Sequence, residues 1–409
     1  MFTRKLLLLA VVIFSACSRD LSYEPSLQPM RALTTAENSI KEGAEDFGFA
    51  LLKQLAQESP QENLFISPLS ISMALAMTLN GAAGETADAM RHTLKLDELT
   101  EEERNEAFRS LISLLISADP RVKMEIANSI WIRRGFPVEE DFLRLNRTYF
   151  DAMVQQLDFN DPASLGIINR WVNEKTHGKI DKILDGIPGE MVMYLMNAVY
   201  FKGTWKSQFD KNATHADEFF PIGAAAEPCS MMVQTNDAFS YYADEQMQAI
   251  DLPYGNGRFA MTILLPAYGK TPAELMESLD KESLRALPKK FSKQRGTLHL
   301  VKFKLEYKKK LNDALSNMGM AVAFTEQADF TRINRNGHLF ISEVLHKSFV
   351  QVDEEGTEAA AATSVGIALT SAGDSNGFVM VVNRPFLFFI REQSSGTILF
   401  LGLVNSPQR

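Results

Sequence analysis

Gly373-Asp374-Ser375-Asn376-Gly377 sets a serine in the G-x-S-x-G spacing that hydrolases use to expose a nucleophilic hydroxyl on a sharp turn. That chemistry needs a strand leading into the serine, a helix leaving it, and an acid and a histidine further along the chain. Here a strand-like stretch, Phe378 to Val382, follows the serine, and the last histidine, His346, precedes it. A turn-rich loop accounts for the glycines better than a nucleophile elbow does. The six histidines (His92, His177, His215, His299, His338, His346) lack metal-ligand spacing with one another or with Cys17 and Cys229, and no phosphate-binding glycine loop occurs. The expectation is a protein that is not an enzyme and carries neither metal nor cofactor. Asn146-Arg147-Thr148 and Asn212-Ala213-Thr214 match the glycosylation sequon, and with a bacterial-type export signal both read as chance.

The 409 residues are 45% hydrophobic and 23% charged, the composition of a globular chain with a sizeable core. A net charge of −9 without long single-sign blocks indicates no nucleic-acid surface. The densest basic run, "KFKLEYKKK" at 302–310, alternates as a solvated strand does. At the front, "MFTRKLLLLAVVIFSAC" has a basic start and an apolar run from Leu6 to Phe14 that is short for a membrane span, so it reads as a secretion signal. Ser15-Ala16-Cys17 resembles the bacterial lipobox, with Phe14 in place of the commoner leucine; the alternative is an ordinary signal peptide with an incidental cysteine. The resulting division is a lipoprotein signal at 1–16, lipidated Cys17 with a flexible tether to 35, and a domain from 36 to 409. It implies an exported, envelope-anchored monomer. Cys229 has no internal partner, so no disulfide holds the exported domain.

Other elements follow from pattern. Thr34 and Glu37 form a capping box, and Phe47, Leu51, Leu52 and Leu55 recur at helical spacing. Ser67 and Pro68 read as N-cap and first turn of a buried helix that reaches Leu79 and stops at Gly81. Helices are also predicted over Thr86–Leu94 and Glu101–Ser117. Met124, Ile126, Ile130 and Ile132 alternate as in a strand, 260–267 follows a turn, and "FVMVV", "PFLFFIRE" and "TILFLGLV" are apolar strands. Helices early and strands late, without regular βαβ alternation, predict an α+β fold. There is no internal repeat.

The segment "VDEEGTEAAAATSVGIALTSAGDSNGFVM", 352–380, is too long and too bland for an ordinary loop. Split by strand parity, Thr357, Ala359, Ala361, Thr363, Val365, Ile367 and Leu369 form an uncharged face whose side chains grow along the segment. That is the face of a strand able to enter a sheet. Gly356 and Gly366 argue against a resting strand, and an Ala-rich helical turn at Glu358–Ala362 or a plain linker fits the same residues.

"EEGTEAAAAT", "NRPFLFFIRE" and "LFLGLVNSP" resemble the reactive-centre loop and closing strands of the serpin family. "NLFISPLSISMALAMTLNGAAGET", "WVNEKTHGKI", "MNAVYFKGTWKSQF" and "AIDLPYGNGRFAMTILLPA" are similar to its other blocks, in the same order, over roughly residues 36 to 409. The resemblance implies three β-sheets, eight or nine helices and an exposed loop at about 356–382. It also implies irreversible suicide-substrate inhibition of serine proteases through a covalent complex, with cysteine proteases as a further class and a non-inhibitory binding protein as the alternative. The hinge is carried over onto Glu354, Glu355, Gly356, Thr357, Glu358, Ala359, Ala360, Ala361, Ala362 and Thr363. A buried polar cluster falls on Ser67, Ser70, Asn197 and His346, and a loop-entry region on Trp205, Lys302 and Glu354, where a Glu354–Lys302 pair would restrain early insertion. The family's spacing places the cleaved bond at Thr370-Ser371, with Leu369-Thr370 next. No Lys or Arg lies between Lys347 and Arg384, which points to elastase-, subtilisin- or chymotrypsin-like targets rather than trypsin-like ones.

Overall fold

The computed structural model of the chain describes residues 29–279, 281–357 and 377–407. Cys17, Glu358 to Thr363, Leu369, Thr370 and Ser371 lie outside the described residues. No described helix is long and apolar enough to cross a membrane.

The first third is mainly helical: α1 (Thr35–Glu58), β1 (Leu64–Ile66), α2 (Pro68–Leu79), α3 (Gly84–Leu94), α4 (Glu101–Ile116), β2 (Val122–Arg133) and α5 (Glu140–Phe150). Next come β3 (Met153–Leu157), α6 (Pro162–Lys175), β4 (Met193–Thr204), β5 (His215–Phe219), β6 (Glu227–Ala243), β7 (Met247–Tyr254) and β8 (Phe259–Pro266). The remainder holds α7 (Pro272–Ser278), α8 (Lys281–Lys290), β9 (Ser292–Val301), β10 (Phe303–Lys310), α9 (Asn312–Leu315), β11 (Leu345–Val352), β12 (Gly356–Thr357), β13 (Phe378–Val382), β14 (Phe386–Glu392) and β15 (Ile398–Val404).

Local chemistry sets the helix starts. Thr34 and Glu37 close the capping box of α1 reciprocally, and Ser67 caps α2 ahead of Pro68. Arg31, just ahead of this start, is tied to it. Arg31 makes a two-pronged bond to Glu37 at 2.7 and 2.5 Å and reaches Ser110 of α4 at 2.9 Å.

The strands form two hydrogen-bonded sheets, one of nine strands along β1-β15-β14-β8-β7-β6-β9-β13 with β5 on β6, and one of six in the order β10-β11-β12-β4-β2-β3. The resemblance implies three sheets; two of them are continuous here because β6 spans both. Its first part pairs with β5 and β9, a register shift follows between Asn236 and Phe239, and its last residues pair with β7. The main core lies between the sheets and the early helices. A second, smaller core, with Trp131, Trp171, Ile180 and Tyr194, seals α6 and its following loop onto the outer face of the six-stranded sheet.

Candidate functional site

The site begins in the turn between β11 and β12. Asp353 N–H donates to the Gly356 carbonyl at 3.1 Å, and its own carboxylate accepts the N–H groups of Glu355 and Gly356 at 2.9 and 3.3 Å. Burial pushes the Asp353 carboxyl above the usual range, against the pull of these two donors. The turn delivers Gly356 and Thr357 into the six-stranded sheet: Thr357 pairs with Val352 of β11 and Gly203 of β4, and Gly356 with Thr204. A Cβ on Gly356 would lie 2.2 Å from the Gly203 carbonyl oxygen, so close backbone approach demands glycine there. From sequence, the segment stays out of the sheet at rest. Instead, its first two residues are already strand, because β4 and the Asp353 turn together satisfy their backbone groups.

Thr357 is buried at 3% exposure, and its hydroxyl meets that of Tyr254 at 2.5 Å. Tyr254 stacks on Trp205 with ring centroids 4.4 Å apart. Trp205 holds the turn twice, donating its backbone N–H to the Glu355 carbonyl at 2.8 Å and its indole N–H to the Asp353 carbonyl at 2.9 Å. Phe209 N–H reaches the Glu354 carbonyl at 3.0 Å.

Glu354 and Lys302 pair at 2.8 Å, and Thr214 donates to the same carboxylate at 2.8 Å. Burial raises the Glu354 pKa, but the bonds from Lys302 and Thr214 outweigh it and hold the carboxyl below the usual range. Glu355 pairs with Lys211. The Glu354–Lys302 pair is closed while Thr357 is seated in the sheet. It fastens the turn that leads into β12.

Below Thr357 the sheet has a slot. β12 is antiparallel to both neighbours, so β4 and β11 run parallel to each other, one strand apart. Among the described residues, nothing pairs with the facing edges of β4 from Met193 to Lys202 or of β11 from Leu345 to Gln351. Both strands alternate between more and less buried positions along the slot.

The four residues of the expected polar cluster lie beneath its middle, as two linked pairs. Ser67 N–H points at His346 Nε2 at 3.4 Å, and the Ser70 hydroxyl donates to the Asn197 side-chain oxygen. Ser67 Oγ joins the pairs by accepting from Ser70 N–H at 3.4 Å, while donating to the Leu399 carbonyl at 2.8 Å. Asn197 sits on the β4 side and His346 on the β11 side, and no bond joins them directly among the described residues. Burial lowers the His346 pKa to about 4, with a partial offset from the Phe65 backbone, so the ring is neutral.

Asn128, absent from the sequence expectations, extends this cluster by accepting from Asn197 at 2.7 Å and donating to the Phe150 carbonyl at 2.6 Å. Its signal was there to read: it occupies the gap between Ile126 and Ile130 in the alternating apolar set of β2. Asp353, with its Asp-x-x-Gly turn spacing, was similarly legible. Tyr254, Thr214 and Lys211 carried no local signal. Of the G-x-S-x-G string, only Gly377 is described, and a strand begins immediately after it. No cluster of three or more His, Cys, Asp or Glu residues suited to a metal ion occurs among the described residues.

A mixed sheet with a strand position that no described residue fills below Thr357, a turn leading into it and a helical wrapping is the arrangement of the serpin fold. A sequence model of that family, described as serine protease inhibitor, matches residues 42–407, and the chain belongs to the serpin family. An uncharacterised serpin-like protein of Thermococcus kodakarensis is 36% identical over 92% of this chain and 89% of its own. The thermophilic serpin tengpin in its native state superposes with a TM-score of 0.81 at 33% identity, covering 93% of this chain and 96% of the other. Human thyroxine-binding globulin in complex with thyroxine gives 0.82 at 26% identity, over 91% and 100%. Members of the family are mostly protease inhibitors and generally not enzymes, with the globulin among the non-inhibitory ones.

Proposed function

We propose that this chain is a suicide-substrate inhibitor that traps serine proteases of the elastase, subtilisin or chymotrypsin type as acyl-enzymes. The observation that carries the reading is the slot between β4 and β11, entered at its top by Gly356 and Thr357. Extending that antiparallel register downward would place Ala359 between Phe201 and Val350, Ala361 between Val199 and Ser348, and Thr363 between Asn197 and His346. Small residues therefore go where large core side chains wait, and a hydroxyl goes between the two halves of the polar cluster. Val365 and Ile367 would follow at Leu195 and Met193. Burying each large aliphatic contributes roughly 1.5–3 kcal/mol, along with new ladder hydrogen bonds.

In the reaction, the protease serine attacks the Thr370 carbonyl and the Ser371 amine leaves, with Leu369-Thr370 as the neighbouring choice. The acyl-enzyme keeps residues up to the cleaved bond, and insertion of those residues before deacylation carries the enzyme away and distorts it. The uncharged hinge, Thr357 with Ala359 to Ala362, supports inhibition over the non-inhibitory binding alternative, because a charged or bulky residue there would meet a buried position. An export signal with lipidated Cys17 would tether this monomeric inhibitor to the cell envelope; Cys17→Ala should release it with inhibition intact, and retention of that variant on membranes would remove the anchor. Incubation with subtilisin, elastase and trypsin, followed by denaturing gels, tests the main reading. Complexes with the first two and none with trypsin are expected; cleavage by all without a complex would leave only a binding role.

A further inference from the structure

The lower half of the slot opens into a cavity of about 330 Å³, lined by Met193 to Asn197 of β4 on one side and Val344 to His346 on the other, within the range of small-molecule sites. Its inner wall is largely apolar, with Leu75 of α2, Met193 of β4, Phe330 and Ile341, while Ser70, Asn197 and His346 of the polar cluster border its upper end. Tyr194, from the core on the outer face of the sheet, lines its outer side. This residue is only 8% exposed, yet its hydroxyl has no hydrogen-bond partner among the described residues, an unusual state for a buried polar group. Two carboxylates, Glu190 and Glu343, stand on the lining, and no Lys or Arg joins them among the described residues. Burial, followed by the charges of Glu343 and Glu190, pushes the Tyr194 hydroxyl up to about 12, so it stays protonated and able both to donate and to accept.

We propose that this cavity binds a small apolar amine, its ammonium group donating to the Tyr194 hydroxyl beside Glu190 and Glu343 on the outer side and its hydrocarbon body passing inward through the slot to lie against Leu75, Met193 and Ile341. Apolar walls alone would take any oily molecule. The unpartnered hydroxyl and the one-signed rim select a cation over an anion of equal shape. The site stands on the cavity and its lining and does not require inhibition. If the reading under Proposed function holds, an occupant would also obstruct the end of the incoming strand, and an inhibitor would become a substrate.

Calorimetric titration of the full chain with phenylbutylamine and, separately, phenylbutyrate tests the proposal. The amine should bind saturably at one site and the carboxylate at least about tenfold more weakly. Tyr194→Phe should weaken the amine by about tenfold, the loss of one useful hydrogen bond to a charged group. Ala74→Phe, which fills the cavity from α2, should abolish binding; if that variant does not fold, Tyr194→Phe still decides. No saturable binding, equal affinities for the two probes, or an amine affinity unchanged in Tyr194→Phe would each overturn the site. Complex formation with subtilisin in the absence of amine reports on the inhibitory reading separately, so binding without inhibition would refute that reading and leave this one standing.

Discussion

The nine-stranded and six-stranded sheets draw on the same residue types and end up in opposite conditions. In the first, β8, β14 and β15 are buried at every position and paired on both edges, and Gly402 lets the Phe388 ring pack where a Cβ would lie 2.1 Å from it. In the second, β4 and β11 alternate in burial and face each other across a strand position that no described residue fills below Thr357. One sheet is a finished frame. On the proposed reading the other is an acceptor, with edges that no described residue pairs and the Asp353 turn at its top. The difference teaches that a local vacancy needs a rigid surround: without the frame, the acceptor strands would close on each other.

The comparison breaks most visibly in the frame. Phe388→Ala removes a buried ring between Phe65 and Phe303 and should cost about 3–5 kcal/mol. Urea unfolding should show the loss equally in intact and loop-cleaved protein; a loss confined to one form would mean that the frame takes part in insertion.

A smaller effect should come from the acceptor, as a function of pH. His346 has a folded pKa of about 4 against 6.5 when free, so the unfolded chain takes up the proton first. The stability tied to the neutral ring is complete above 6.5 and is lost as pH falls toward 4, amounting to about 3 kcal/mol at the low end. His346→Gln should flatten that limb of the urea midpoint against pH; an unchanged slope would remove the neutral buried imidazole from the account.

The least effect is expected at the fastening. Lys302 is over a third exposed, so solvent screens its pair with Glu354, and Lys302→Met should move the unfolding free energy by less than about 1 kcal/mol. A larger loss would show that the pair carries the turn, a role assigned here to Trp205 and the Asp353 carboxylate.

Much of the frame was legible in sequence because its signals are local. The Thr34–Glu37 capping box, Pro68 behind Ser67, the alternation of β10 and the apolar runs of β14 and β15 each declare themselves within a few residues. The acceptor was harder. Which strands flank Thr357 depends on Gly203, about 150 positions upstream, and nothing in "FKGT" announces that partner. Glycines in the segment argued for a loop, whereas Gly356 serves a strand, since it alone lets β12 approach the β4 backbone. Tyr254, whose hydroxyl receives Thr357, was invisible for the same non-local reason. The polar cluster was found through the family pattern, and only Asn128, a polar break in an apolar face, could have been added from the residues themselves.

The central claim is that strand insertion into the slot traps the protease. Wild-type and Thr357→Arg proteins incubated with subtilisin and resolved on one denaturing gel test it directly. Arginine at this 3% exposed position would desolvate a charge beside Tyr254 at a cost of several kcal/mol, so insertion should lose to deacylation. The account predicts a covalent band for wild type, and for the variant, cleavage at the same bond with no covalent band. Equal covalent bands from both proteins would contradict it.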